Sequence, residues 1–116
     1  MSGVDLAALA EKVEGLTGPD RDVDCLIVRL IYGDDRDMLG CARRGSFSPT
    51  ASLDAATTLF PPNTMYRSGH SALAPDPSMF FCDAVTEDGR DFHSLARTEA
   101  NARLAAALRA RAKAPA

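Results

Sequence analysis

Apolar residues recur three and four apart in two long stretches near the N-terminus, and they alternate with polar ones later in the chain. Leu6, Leu9, Ala10 and Val13 predict a first helix from Val4 to Glu14, with Ser2 available as its cap. Gly15 and Gly18 interrupt it. Thr17-Gly18-Pro19-Asp20 then restarts a helix, with Pro19 pre-set for the first turn and Asp20 and Asp22 at the positive end of its dipole. Val23, Leu26, Ile27, Leu30 and Ile31 make the cleanest apolar stripe of the chain, and Gly33 ends it. From Asp34 to Pro49 no period is sustained, which predicts a long loop with a short strand around Met38 to Ala42. Thr50 or Ser52 caps a short third helix whose Leu53, Ala56 and Phe60 should face inward before Pro61-Pro62 stops it.

Strands are expected at Thr64 to Ser68, Met79 to Val85 and Arg90 to Ala96, with a turn-rich connection from Gly69 to Pro77. Asp88-Gly89 is the best hairpin signal. As a two-residue turn it would set Val85 opposite Phe92 and Phe81 opposite Ala96, and put Phe81, Val85 and Phe92 on the face that meets the helices. The last element, Thr98 to Lys113, is built almost wholly of strong helix formers behind a Thr98 cap. Ala100, Leu104, Ala107 and Leu108 form a thin stripe for a sheet or helix beneath, while Glu99, Arg103, Arg109 and Lys113 point away as a solvated basic back. The expected fold is α+β: a three-stranded antiparallel sheet packed with about four helices, ordered α-α-(loop)-α-β-β-β-α. One domain over residues 1–116 accounts for the whole length, with the last few residues frayed.

Charge adds an asymmetry to this picture. The net formal charge of −3 divides into nine acids against four bases in residues 1–40 and seven against nine in residues 41–116. Two charged surfaces result. The acidic one comprises Asp20, Asp22, Asp24, Asp34, Asp35 and Asp37, whose carboxylates along a rod could occupy a channel built for phosphates. The basic one comprises Arg43, Arg44, Arg97, Arg103, Arg109, Arg111 and Lys113 and could contact nucleic-acid phosphates, although tryptophan is absent and aromatics for base stacking are few.

Chemistry is harder to find. Cys25, Cys41 and Cys82 are odd in number, lack C-x-x-C spacing and follow no signal peptide, so they read as free thiols of a cytoplasmic protein. No apolar run approaches the roughly 20 residues that span a bilayer. In the register above, His93 would lie diagonal to Cys82 on one face, a long reach for a nucleophile and its base. Cys41, His70, Cys82 and His93 come singly from four segments, without the paired spacings of zinc motifs. No phosphate loop, nucleophile elbow or EF-hand spacing is present. The expectation is a non-enzymatic protein without metal or cofactor.

Three segments taken together, Leu9 to Leu26 (L-A-E-K-V-E-G-L-T-G-P-D-R-D-V-D-C-L), Thr50 to Leu59 (T-A-S-L-D-A-A-T-T-L) and Ala105 to Ala110 (A-A-A-L-R-A), resemble a family of small phage and prophage proteins. That family looks related to the phage alpha-beta-alpha sandwich domains. The resemblance implies a phage accessory protein, carries no catalytic residues, and transfers a setting rather than a site. It implies binding to a host or phage protein complex, most concretely inhibition of a host defence complex such as a CRISPR effector, with the six aspartates as candidate surface. Nucleic acid is the alternative partner, through the basic last helix and Arg43-Arg44. Alanine-rich helix faces and the third strand could also make the twofold contact of a homodimer.

Overall fold

A computed structural model describes residues 3–70 and 79–112. The Ser2 cap, Lys113 and most of the Gly69 to Pro77 connection lie outside the described residues. The elements run α1 (Gly3–Glu14), α2 (Arg21–Tyr32), α3 (Arg36–Arg44), α4 (Leu53–Thr57), β1 (Met65–His70), β2 (Phe80–Val85), β3 (Asp91–Ala96) and α5 (Glu99–Ala112). The three strands form one antiparallel sheet in sequence order, so the fold is α+β with five described helices.

The core is built around α5. Thr98 Oγ1 accepts the amide of Asn101 and starts the helix, and the alanines that follow carry no bulk that would hold neighbours away. α1, α4 and all three strands pack against it. Ala102, Leu104, Ala105, Ala106, Ala107, Leu108 and Ala110 are therefore fully buried, not a thin stripe of them. Among the described residues the expected solvated basic back does not form. Arg103 donates to Ser68 and Thr57 and pairs with Glu99, Arg109 pairs with Glu14 and donates to Ser94 Oγ, and Arg111 Nε donates to the Leu59 carbonyl. Three long cations are absorbed because each finds oxygen acceptors on an adjacent element.

Where a loop was expected between Asp34 and Pro49, the chain forms α3, and Met38 to Ala42 is helical rather than strand. Its signals are caps rather than periodicity: Asp35 Oδ1 accepts the amides of Asp37 and Met38, and Gly45 ends the helix in the left-handed region at φ 80°. The stripe on α2 is also turned. Leu26 is 40% exposed, whereas Asp24 and Val28 are buried. The segment after α3 folds back on the Asp24 side of the helix, where Asp24 accepts from the Ser48 hydroxyl at 2.7 Å and the Thr50 amide at 3.0 Å. Thr50 Oγ1 in turn accepts the Asp20 amide. In α4, Ser52 caps as expected and Ala56 and Phe60 are buried, but Leu53 lies at the surface.

The hairpin between β2 and β3 has three loop residues, not two. Thr86 and Arg90 close it, Gly89 adopts φ 86°, and its amide donates to the Thr86 carbonyl. One extra residue slips the register by one, so Val85 pairs with Asp91, Ala84 with Phe92 and Phe80 with Ala96. Every β2 side chain changes faces relative to the expected pairing. Phe92 does meet the helical layer, together with Ala84, Cys82, Ser94 and Ala96, but Phe81 and Val85 lie on the opposite face.

Candidate functional site

Because α5 and α1 cover only one side of the sheet, the other side carries three cross-strand rungs with no described element packed on it. They are Met65–Val85–Asp91, Arg67–Asp83–His93 and Gly69–Phe81–Leu95. Met65 is 76% and Val85 40% exposed, while Phe81 and Leu95 are half-buried. Between these apolar ends lies a charged bar. Asp83 receives a hydrogen bond from His93 Nδ1 on one side and pairs with Arg67 Nη2 at 3.3 Å on the other. The hydrogen bond with His93, opposed by burial and helped by the Arg67 contact, holds the Asp83 carboxyl below its ordinary range. Arg67 also lies over the Phe81 ring, 6.0 Å from its centroid. Arg67, Asp83, Val85, Asp91 and His93 line a shallow concavity of about 380 Å³.

The two free edges of the sheet are not equivalent. At β3, the Leu95 amide donates to Glu14 Oε2 at 3.1 Å and the His93 carbonyl accepts from Arg109 Nη1, so the Glu14–Arg109 pair occupies main-chain groups that a further strand would need. The alanine-rich helix surface is equally unavailable, being buried within the chain. β1 pairs only with β2 and leaves its other edge without a described strand. Just inside it, Tyr66 stacks between Phe60, with centroids 4.9 Å apart, and the Arg103 guanidinium, 4.8 Å from its ring.

The aspartates expected to form one acidic surface are divided by the fold. Asp24 is buried and Asp20 and Asp35 accept backbone amides as helix caps, leaving Asp22, Asp34 and Asp37 exposed without such bonds. The basic group is divided as well. Arg103, Arg109 and Arg111 face internal partners, Arg44 Nη2 reaches Cys41 Sγ at 3.6 Å, and Arg43 and Arg97 lie exposed at separate places in the fold. Cys82 and His93 occupy opposite faces of the sheet, so they make no nucleophile–base pair. Burial pushes the Cys82 thiol up to about 11, where it stays protonated at neutral pH. His70 packs edge-on to Phe80 and Cys41 lies on α3, so these two do not join Cys82 and His93 at one point. Among the described residues no group of three or more His, Cys, Asp or Glu side chains is gathered as metal ligands, and no helix is long and apolar enough to cross a membrane. The open sheet face was missed because its register depended on one turn residue. The signal was present in Thr86 and Arg90, whose spacing around Gly89 suits a three-residue loop.

Comparison with known proteins finds no family model, no curated protein and no solved structure that matches the chain.

Proposed function

We propose that the protein acts by binding a protein partner without catalysis, through the open face of its sheet. The observation that supports this reading is the uncovered Met65–Val85 end of that face beside Phe81 and Leu95, apolar surface flanking a charged bar. Apolar anchors around fixed polar groups are the composition of a recognition patch rather than of ordinary solvated surface. The bar supplies orientation: Arg67 and His93 offer donors and Asp83 an acceptor, already held in place by one another. The resemblance to small phage proteins makes the most concrete version a phage-type accessory protein that inhibits a host defence complex. The partner is then a host protein assembly, and the exposed Asp22, Asp34 and Asp37 are secondary contacts.

Pull-down from a bacterial lysate, treated with nuclease and run at low and moderate salt, tests the reading. A stoichiometric nuclease-resistant complex is expected, lost on Val85→Arg with Met65→Glu and kept on Asp34→Asn with Asp37→Asn. Loss of all bound material on nuclease treatment would move the function to nucleic acid, and retention by the Val85→Arg, Met65→Glu variant would remove the sheet face from it.

A further inference from the structure

Away from the sheet, α2 and α3 enclose an open concavity of about 420 Å³ lined by Arg21, Asp22, Cys25, Leu26, Arg29 and Arg43. Arg21, Cys25 and Arg29 stand four apart along α2, and the antiparallel return of the chain brings Arg43 from the last turn of α3 to meet them. None of these three arginine side chains has a hydrogen bond or ion pair among the described residues. They differ in this from Arg67, Arg103, Arg109 and Arg111, which all hold oxygen acceptors. Asp22 offsets one of the three charges, so the concavity keeps a net charge of about +2 facing solvent.

One of these cations lies beside the end of α3. Gly45 ends α3 at φ 80°, and a Cβ at that position would come 2.9 Å from Arg21 Nη2. The Arg21 guanidinium thus lies against the carbonyl end of α3, where a cation is favoured. Leu26, 40% exposed, and the half-buried Cys25 add an apolar wall beside the charges. Guanidinium forks match the tetrahedral oxygens of phosphate in a way that a single carboxylate ligand cannot use from three sides. The volume falls within the roughly 300–1,000 Å³ typical of small-molecule sites.

We propose that the α2–α3 concavity binds a phosphate-bearing ligand, with Arg21, Arg29 and Arg43 on the phosphate, Leu26 against the organic part and Asp22 accepting from a ligand hydroxyl. The site stands independently of the protein-binding face. Its test is an NMR titration of backbone amides with three probes at constant ionic strength: inorganic pyrophosphate, a ribonucleoside monophosphate and a ten-nucleotide single strand. Pyrophosphate is expected to shift the amides of Arg21, Cys25, Arg29 and Arg43 at saturable concentration. Arg29→Gln and Arg43→Gln should each weaken it about tenfold or more, with far-UV circular dichroism unchanged, and Arg43→Lys should restore part of the affinity. A monophosphate that binds as well as the strand identifies a free small ligand. A strand that binds more tightly, with affinity falling steeply with salt, identifies backbone phosphates as the source. Shifts scattered over the surface, or binding indifferent to Arg43→Gln, would overturn the site.

Discussion

The arginines of α5 and those of the α2–α3 hairpin all sit on helices, yet the fold treats them oppositely. Arg103, Arg109 and Arg111 are drawn inward, each closing a gap between α5 and a neighbouring element: β1 through Ser68, α1 through Glu14, and Leu59 beyond α4. The side chains of Arg21, Arg29 and Arg43 find no acceptor among the described residues and are left around a concavity. The difference lies not in the arginines but in what the topology brings within reach of them. A basic stretch therefore reads as internal cement where a carboxylate or a free carbonyl faces it, and as a candidate site where none does.

The largest test of this contrast compares the two supports. Leu104 is fully buried beneath α5, whereas Leu26 on α2 is 40% exposed. Leu104→Ala is expected to cost about 2–5 kcal/mol in urea denaturation, because the close-packed alanines around it have no long side chains with which to fill the gap. Leu26→Ala should stay within about 0.5 kcal/mol. Similar losses at the two positions would mean that Leu26 is packed as tightly as Leu104, and that the concavity beside it is not a surface feature.

Next in size are the cations themselves. Arg109→Gln removes the partner of Glu14 and the donor to Ser94, leaving a carboxylate about three-quarters shielded from water and a buried hydroxyl. The expected loss is about 1–3 kcal/mol. Arg43→Gln removes an unpaired charge from beside two others, so stability should change by less than about 0.5 kcal/mol or rise slightly. A destabilisation by Arg43→Gln as large as that by Arg109→Gln would show that the α2–α3 arginines are structural, and would remove the reason for assigning them to a ligand.

Which parts of this were legible in the sequence follows the same physics. α1, α5, β2 and β3 were readable because alternation and helical spacing report burial on one face, and these elements each bury at least one; β1 was expected too, although none of its six residues is buried. α3 was not, because nine residues with four arginine or aspartate positions show no period, and only its caps, Asp35 and Gly45, mark it. The inward turn of α5's arginines could not be read either, since Glu14 and Ser68 lie 95 and 35 residues away from their partners in sequence. Asp24 looked like one member of an acidic row, and only the return of Ser48 and Thr50 makes it a buried acceptor. Register failed on a single loop residue, which is the smallest error a hairpin can make and the one that exchanges its faces.

The finest test uses protons rather than substitutions of bulk. Burial alone would raise the pKa of Glu14. The Arg109 hydrogen bond, the Leu95 amide and the Arg109 charge outweigh it and hold the carboxyl below its ordinary value of 4.5, while the same pairing raises Arg109. A carboxylate depressed in the folded state stabilises the fold at pH values above its unfolded pKa, and that contribution is lost as pH falls through the folded value. The stability gap between the parent protein and Glu14→Gln should therefore be widest at neutral pH and narrow steadily below about pH 4.5. Urea midpoints at pH 7, 5, 4 and 3.5 measure it, and other acids whose pKa values are lowered, such as Asp83, cancel because both proteins carry them. For Arg43→Gln the gap should be the same at every pH, because no carboxylate depends on Arg43 in the fold. A gap for Glu14→Gln that ignores pH would mean that the β3 edge is plugged by shape alone, and the distinction between paired and unpaired arginines would lose its electrostatic basis.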